Sequence, residues 1–171
     1  DVKECRRDHM ELVFAADGLV GKNGSRIPVS IEKRYRMKRN SIVVEYGITN
    51  RGTAPVEECF GSEINLSFAS MDELQLSIQK KDSEKSIKSR LLNAGGTVGF
   101  SAADQKNKVL VQGNFAEETE LWIVPVEAVW LEQNGRNRGY QSTCFLPRWS
   151  INLNPGELWK TSIALSFTKN K

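Results

Sequence analysis

The residues best suited to chemistry crowd into one stretch, Trp122 to Pro155. It holds three of the four tryptophans and one of the three tyrosines of a 171-residue chain. Carboxylates and amides stand between the rings, among them Glu127, Glu132 and Gln141. An aromatic face stacks on the C–H face of a pyranose while amides and carboxylates bond its hydroxyls, so this composition suits a sugar surface. The competing reading is structural, because tryptophan on a strand is more often core than surface. Trp122 and Trp130 share the even face of one strand with Val124, Val126 and Ala128, a face that reads as buried. Trp130, at the strand end, is placed to reach a groove. Trp159 shares a face with Ile163, Leu165 and Phe167 and reads as core. Trp149 follows Pro147-Arg148 and reads as the most exposed ring.

Catalytic sets are harder to assemble. Glycoside hydrolysis needs two carboxylates within roughly 5–10 Å. Glu63 on a wet strand face and Glu132 at a strand end are the candidates, and nothing in the sequence brings them together. Glu57 and Glu58 are adjacent, so on a strand they point to opposite faces. The single histidine, His9, lies near the start among charged residues, poorly placed as the base of a Ser–His–acid triad. Gly95-Gly96 lacks the flanking pattern of a phosphate-binding loop. Cys5, Cys59 and Cys144 are widely spaced with no C-x-x-C pair, which offers neither zinc nor redox chemistry. No metal and no cofactor are expected. An odd, scattered cysteine set leans toward a reducing compartment, and the expected location is cytoplasmic.

The elements that must position these residues read as strands. Met10, Leu12, Phe14 and Ala16 alternate on a first strand ending at Asp17-Gly18. Val29, Ile31, Lys33, Tyr35 and Met37 alternate with Ser30, Glu32, Arg34, Arg36 and Lys38. Arg39-Asn40 then turns the chain into Ile42, Val44, Tyr46 and Ile48, a β-hairpin. Phe60, Ser62, Ile64, Leu66 and Phe68 fall on one face of another strand. Leu74 to Ile78, Val98 to Phe100 and Val109 to Val111 follow, with Lys80 to Arg90 as a polar excursion. Asn154-Pro155-Gly156-Glu157 turns into a last strand carrying Trp159, Thr161, Ile163, Leu165 and Phe167. No stretch has helical periodicity. The expected fold is all-β, an antiparallel two-sheet β-sandwich of nine or more strands.

Size and composition agree. The length suits one domain, residues 1–171. With 39% hydrophobic and 26% charged residues, the chain is neither disordered nor a membrane bundle. No apolar run approaches the roughly 20 residues of a membrane span. Net charge is +3, from 24 basic and 21 acidic residues, too balanced for a nucleic-acid binder. The chain opens at Asp1 without Met, so a fragment or a mature form is expected.

An ordered set of motifs adds a resemblance. Ile31-Glu32-Lys33-Arg34-Tyr35 is followed by Val43-Val44-Glu45-Tyr46-Gly47-Ile48-Thr49-Asn50 and by Phe60-Gly61-Ser62-Glu63-Ile64-Asn65-Leu66. Later come Pro125-Val126-Glu127-Ala128-Val129, Glu132, Tyr140-Gln141-Ser142, Pro147-Arg148-Trp149 and Pro155-Gly156-Glu157-Leu158-Trp159. Over roughly residues 10 to 168 the chain resembles the C-terminal β-sandwich domain of the α-amylase/4-α-glucanotransferase enzymes of glycoside hydrolase family fifty-seven. It departs from that pattern at the basic loop Asn134-Gly135-Arg136-Asn137-Arg138. The resemblance implies a galactose-mutarotase-like supersandwich whose catalysis belongs to an upstream barrel of the same enzyme. This chain would then be a non-catalytic accessory domain that supports the barrel and contacts α-glucan or maltooligosaccharide. The expected contact set is Glu63, Asn65, Trp130, Glu132, Gln141, Arg148 and Trp149. Two rival expectations are a mutarotase-like sugar epimerase and a protein-interaction module.

Overall fold

The structure is a computed structural model describing residues 2–6, 8–21, 24, 26–87, 91–132 and 135–170. The side chains of 2–6 and 132 lie outside that description. Among the described residues every regular element is a strand. The strands are β1 (Val2–Arg6), β2 (His9–Val20), β3 (Ile27–Lys38), β4 (Ser41–Asn50), β5 (Val56–Gly61) and β6 (Ile64–Leu66). After them come β7 (Leu74–Lys80), β8 (Ser83–Ile87), β9 (Leu92–Asp104), β10 (Val109–Glu132), β11 (Gly135–Leu153) and β12 (Leu158–Lys169).

Residues group into two compact units. The first comprises Asp1–Phe60, Gly113–Glu117 and Trp149–Ser166. Its strand order is β1-β2-β3-β4-β12, all antiparallel. The β3–β4 hairpin closes at Lys38↔Ser41 around Arg39-Asn40, as the alternation requires. β2 runs past Asp17-Gly18 to Val20, because Gly18 pairs with Val29 and the ladder is not interrupted. The core gathers Val29, Ile48, Val56, Ile151 and Leu153, with Phe60 and Trp159 packed against it. Each such side chain contributes about 1.5–3 kcal/mol on full burial. Asn50 is fully buried here and spends its amide on the backbone. Its Nδ2 donates to Ala54 O (2.8 Å) and Leu153 O (2.9 Å), and its Oδ1 accepts from Gly52 N (2.8 Å).

The second unit comprises Gly61–Gln112, Glu118–Arg148 and Phe167–Lys171. Its strands run β10-β9-β7-β8, and β11 pairs with β10 and β6. β8 corrects the reading of residues 80–90 as an excursion, since Ser83–Ile87 returns antiparallel on β7 from Lys80↔Ser83. Four of its five residues are exposed, so no apolar alternation announces it. The strand expected over Phe60–Phe68 is split into β5 and β6 at Ser62-Glu63. The core stacks Phe100 on Phe145, with ring centroids 4.0 Å apart and planes 13° from parallel. Ile78 pairs with Phe100 and Ile123 with Phe145 across the ladders, and both are buried, as is Leu121 on β10.

Candidate functional site

Strand register in the second unit sorts the candidate residues by face. In an antiparallel pair, directly opposite side chains share a face. β10 and β11 pair Glu120↔Arg148, Trp122↔Leu146 and Val124↔Cys144, and β6 adds Asn65 opposite Cys144. These residues therefore form one face across three strands. The intervening residues Leu121, Ile123 and Phe145 have no exposed surface, and Pro147 is fully buried too. That reverse face is the core, and the Trp122 face is the outer one. Trp122 was expected inside with the even positions of β10. The branched and aliphatic pair Leu121 and Ile123 takes that place, and Trp122 is only half-buried.

The outer face joins an aromatic ring to several polar groups. The Arg148 guanidinium carbon lies 4.1 Å from the centroid of the Trp122 ring, a cation–π contact. Arg148 Nη1 pairs with Glu120 Oε2 at 3.2 Å. The Arg148 backbone is pinned by Thr119, whose Oγ1 donates to Arg148 O (2.6 Å) and accepts from Arg148 N (2.8 Å). Gly61 lets the chain approach the stem of Arg148, because a Cβ there would come within 3.3 Å of Leu146 Cδ1 and 3.7 Å of Arg148 Cγ. Asn65 Nδ2 donates to Glu63 Oε1 at 2.7 Å, and both side chains are exposed.

Electrostatics keep Glu120 charged. The Trp122 indole N–H, the Asn93 amide and Arg148 together hold the Glu120 carboxyl below its ordinary range, against the opposing effect of burial. The indole N–H sits beside that carboxylate without closing a hydrogen bond. Cys144 is the opposite case. Burial, and then the Glu63 charge, push its thiol up, so it is no ready nucleophile.

The remaining expected contacts are dispersed. Trp130 is 43% exposed, and its ring lies against Gly139, where a Cβ would come within 2.9 Å of Cζ3. It sits eight residues beyond Trp122 on β10, about 26 Å along an extended strand. Gln141 is exposed and is the extra residue of a β-bulge, since Val126 pairs with Ser142 and Glu127 with Tyr140. Arg148 is seven residues from Gln141, about 23 Å away along β11. The Glu132 backbone pairs with Gly135, and its side chain lies outside the described residues. The set thus contains one true cluster, Glu63 with Asn65 on the face of Arg148. Glu120, Trp122 and Asn93 were not expected to join it. The available signal was the aliphatic pair Leu121 and Ile123, which marks the odd face as core.

Trp149 overturns its expected exposure. It belongs to the first unit, is 5% exposed, and packs on Phe60, Phe115 and Trp159 at centroid distances of 6.1, 6.2 and 5.9 Å. Its indole N–H is buried without a partner. β11 passes through Pro147 unbroken, so alternation keeps Trp149 with Ile151 and Leu153 on the buried side.

Elsewhere in the first unit, a groove of about 600 Å³ is lined by Glu32, Arg34, Arg36, Glu45 and Lys160, among others. Its guanidinium groups are already paired, Arg34 with Glu11 (2.5 Å) and Arg36 with Glu11 and Glu45. His9 stands on β2 opposite Lys38. Among the described residues no three of His, Cys, Asp and Glu converge on one point.

Comparison with known proteins now bears on these observations. The family model described as alpha-amylase/4-alpha-glucanotransferase, C-terminal, matches residues 3–163. The chain belongs to this family. Among solved structures it is similar to 4-alpha-glucanotransferase from Thermococcus litoralis, with a TM-score of 0.70 and 15% identity, over 97% of this chain. The chain spans 22% of that protein's length. It is also similar to a putative aldose 1-epimerase from Escherichia coli K12 (TM-score 0.64, 10% identity, 98% of this chain and 68% of that one). A galactose mutarotase-like protein from Clostridium acetobutylicum matches at TM-score 0.64 and 10% identity, over 98% of this chain and 66% of that one. No curated protein matches the chain. At these identities the structural likenesses establish the fold, an antiparallel β-sandwich of the galactose-mutarotase-like kind. This family domain has no helix long and apolar enough to cross a membrane among its described residues.

Proposed function

We propose that residues 1–171 form a non-catalytic accessory domain at the C-terminal end of a larger α-glucan-acting glycoside hydrolase or glucanotransferase. In this reading it supports the enzyme's catalytic barrel, and its β6/β10/β11 outer face contacts α-glucan. The observation that carries the proposal is the Trp122 face. It combines a half-buried indole, the Glu120 and Glu63 carboxylates, the Asn65 amide and the Arg148 guanidinium on one sheet surface. Such a surface offers hydrogen-bonding groups around an indole whose one face Arg148 already covers, and no poised acid–base pair. Trp130 and Gln141 are separate contacts toward the hairpin end, and the expected Glu132 contact lies outside the described side chains. Trp149, being buried, holds the scaffold. The unpaired Cys59 and Cys144 support a reducing, cytoplasmic setting.

The test is a maltoheptaose titration followed by tryptophan fluorescence and calorimetry. Binding that is lost in Trp122→Ala and weakened in Glu120→Gln supports the reading. No heat and unmoved fluorescence at millimolar ligand would reduce the domain to a purely structural role. The shared mutarotase-like fold favours one second reading, a sugar epimerase. An anomer-interconversion assay decides it, and a rate equal to the uncatalysed one excludes it.

A further inference from the structure

The outer edge of the first unit's sheet is half finished. β1 pairs with β2 at Val2↔Leu12, Glu4↔Glu11, Cys5↔Met10 and Arg6↔His9. On its other side β2 pairs with β3 along its whole length, from His9↔Lys38 to Val20↔Ile27. Among the described residues, the outer edge of β2 therefore carries no strand from Phe14 to Val20. These seven residues of extended backbone span about 23 Å. Phe14 is 53% and Leu19 59% exposed, and Ala15, Ala16, Asp17 and Gly18 are exposed as well. Free edges in soluble proteins are usually blunted by lysine, proline, bulges or a covering element. This one has neither lysine nor proline, and Asp17 is its single charge.

The direction of β1 names the occupant. β1 is antiparallel to β2, and its amino end lies at Leu12. Any residue placed before Val2 therefore falls further along β2, toward Val20. Continued at the Val2↔Leu12 register, the residue joined to the amino side of Asp1 faces Phe14. About seven such residues reach Val20, because each residue of an extended strand advances one pairing position.

We infer that, in the longer enzyme, the polypeptide immediately upstream of Asp1 continues β1 and pairs with Phe14–Val20, completing the sheet edge. The inference rests on the reading that this chain is the C-terminal part of a larger protein. The incoming strand carries apolar or β-branched side chains at alternate positions, on the face of Phe14 and Ala16, because cross-strand pairs on a shared face stabilise a sheet. It also makes the sheet edge the point at which the preceding domain is tethered.

The test is amide hydrogen exchange on the 171-residue chain and on the same chain extended by about ten of its natural upstream residues. The edge amides of Phe14–Val20 are expected to exchange at least tenfold more slowly in the longer chain, with the added residues protected alongside them. Ala15→Pro should remove that gain in the longer chain, because Ala15, opposite Glu32, presents its N–H to the open edge and not to β3. Ala16→Glu, which leaves the backbone donors in place, should remove it only in part, and circular dichroism on both variants checks that the sheet persists. Unchanged exchange overturns the inference. So does protection of β2 without protection of the added residues, which points to another occupant. Protection that appears in the short chain as concentration rises overturns it in favour of a second copy. A short upstream strand with no catalytic domain behind it would leave this inference standing and remove the proposed function. A catalytic domain joined by an unprotected linker would do the reverse.

Discussion

Asn50 shows how one buried side chain can organise a corner. It has no exposed surface, and three of its hydrogen bonds run from its side chain to the backbone of residues 52, 54 and 153. Its backbone adds two more, to Glu157 O and from Gly156 N. Asn50→Ala leaves buried backbone groups unpaired and is expected to cost about 2–3 kcal/mol, measured by urea unfolding. Asp104 caps the neighbouring unit's turn in a comparable way. Burial pushes its carboxyl up, but the backbone N–H groups of Asn107, Ala69 and Lys106 and the Asn107 amide outweigh it, and the net shift is downward. A carboxyl lowered on folding contributes stability above its unfolded value, near pH 4, and loses it as pH falls through the folded value. Asp104→Asn is therefore expected to be less stable than the parent at pH 7 and to lose less stability below about pH 4, as read from thermal melts across pH. Neither role was legible in the sequence, where Asn50 and Asp104 are ordinary turn residues. Their partners lie up to 103 positions away.

Among the elements, the β9–β10 turn holds Lys108 at φ 55°, a left-handed conformation that costs an L-residue about 1–2 kcal/mol. Lys108→Gly relieves that strain and is expected to raise stability by about 1 kcal/mol, less the entropy glycine loses on folding. Differential scanning calorimetry should show this as about 2–4 °C. β10 and β11 illustrate what alternation reveals and what it conceals. The period of two was plain from Trp122 to Val126, and so was the presence of a strand. Which face was inside depended on what covered each side, and the choice fell on Leu121 and Ile123. Pro147 looked like an interruption, yet β11 runs through it, and Trp149 is carried to the buried side. The bulge at Gln141 likewise has no sequence signature, because it is a property of the pairing.

At the scale of the whole molecule, burial decides what each side chain is worth. Phe145→Ala opens a cavity beside Phe100 and is expected to cost about 3–5 kcal/mol. Leu131, 78% exposed, should tolerate Leu131→Ser within about 0.5 kcal/mol, and the same denaturant series measures both. The all-β class was determined by the sequence itself. Repeated two-residue periodicity and turn residues leave strands as the only way to bury one side of each segment. Family membership was also legible, because ordered motifs from Ile31 to Trp159 survive without any knowledge of contacts. Tertiary structure alone decided that Trp122 and not Trp149 faces outward, that Arg148 covers Trp122 beside Glu120, and that among the described residues the edge of β2 carries no strand beyond Phe14. The physical reason is that a strand has two faces and two edges. Its own residues set the spacing between them, while partners far away in the chain determine which are covered.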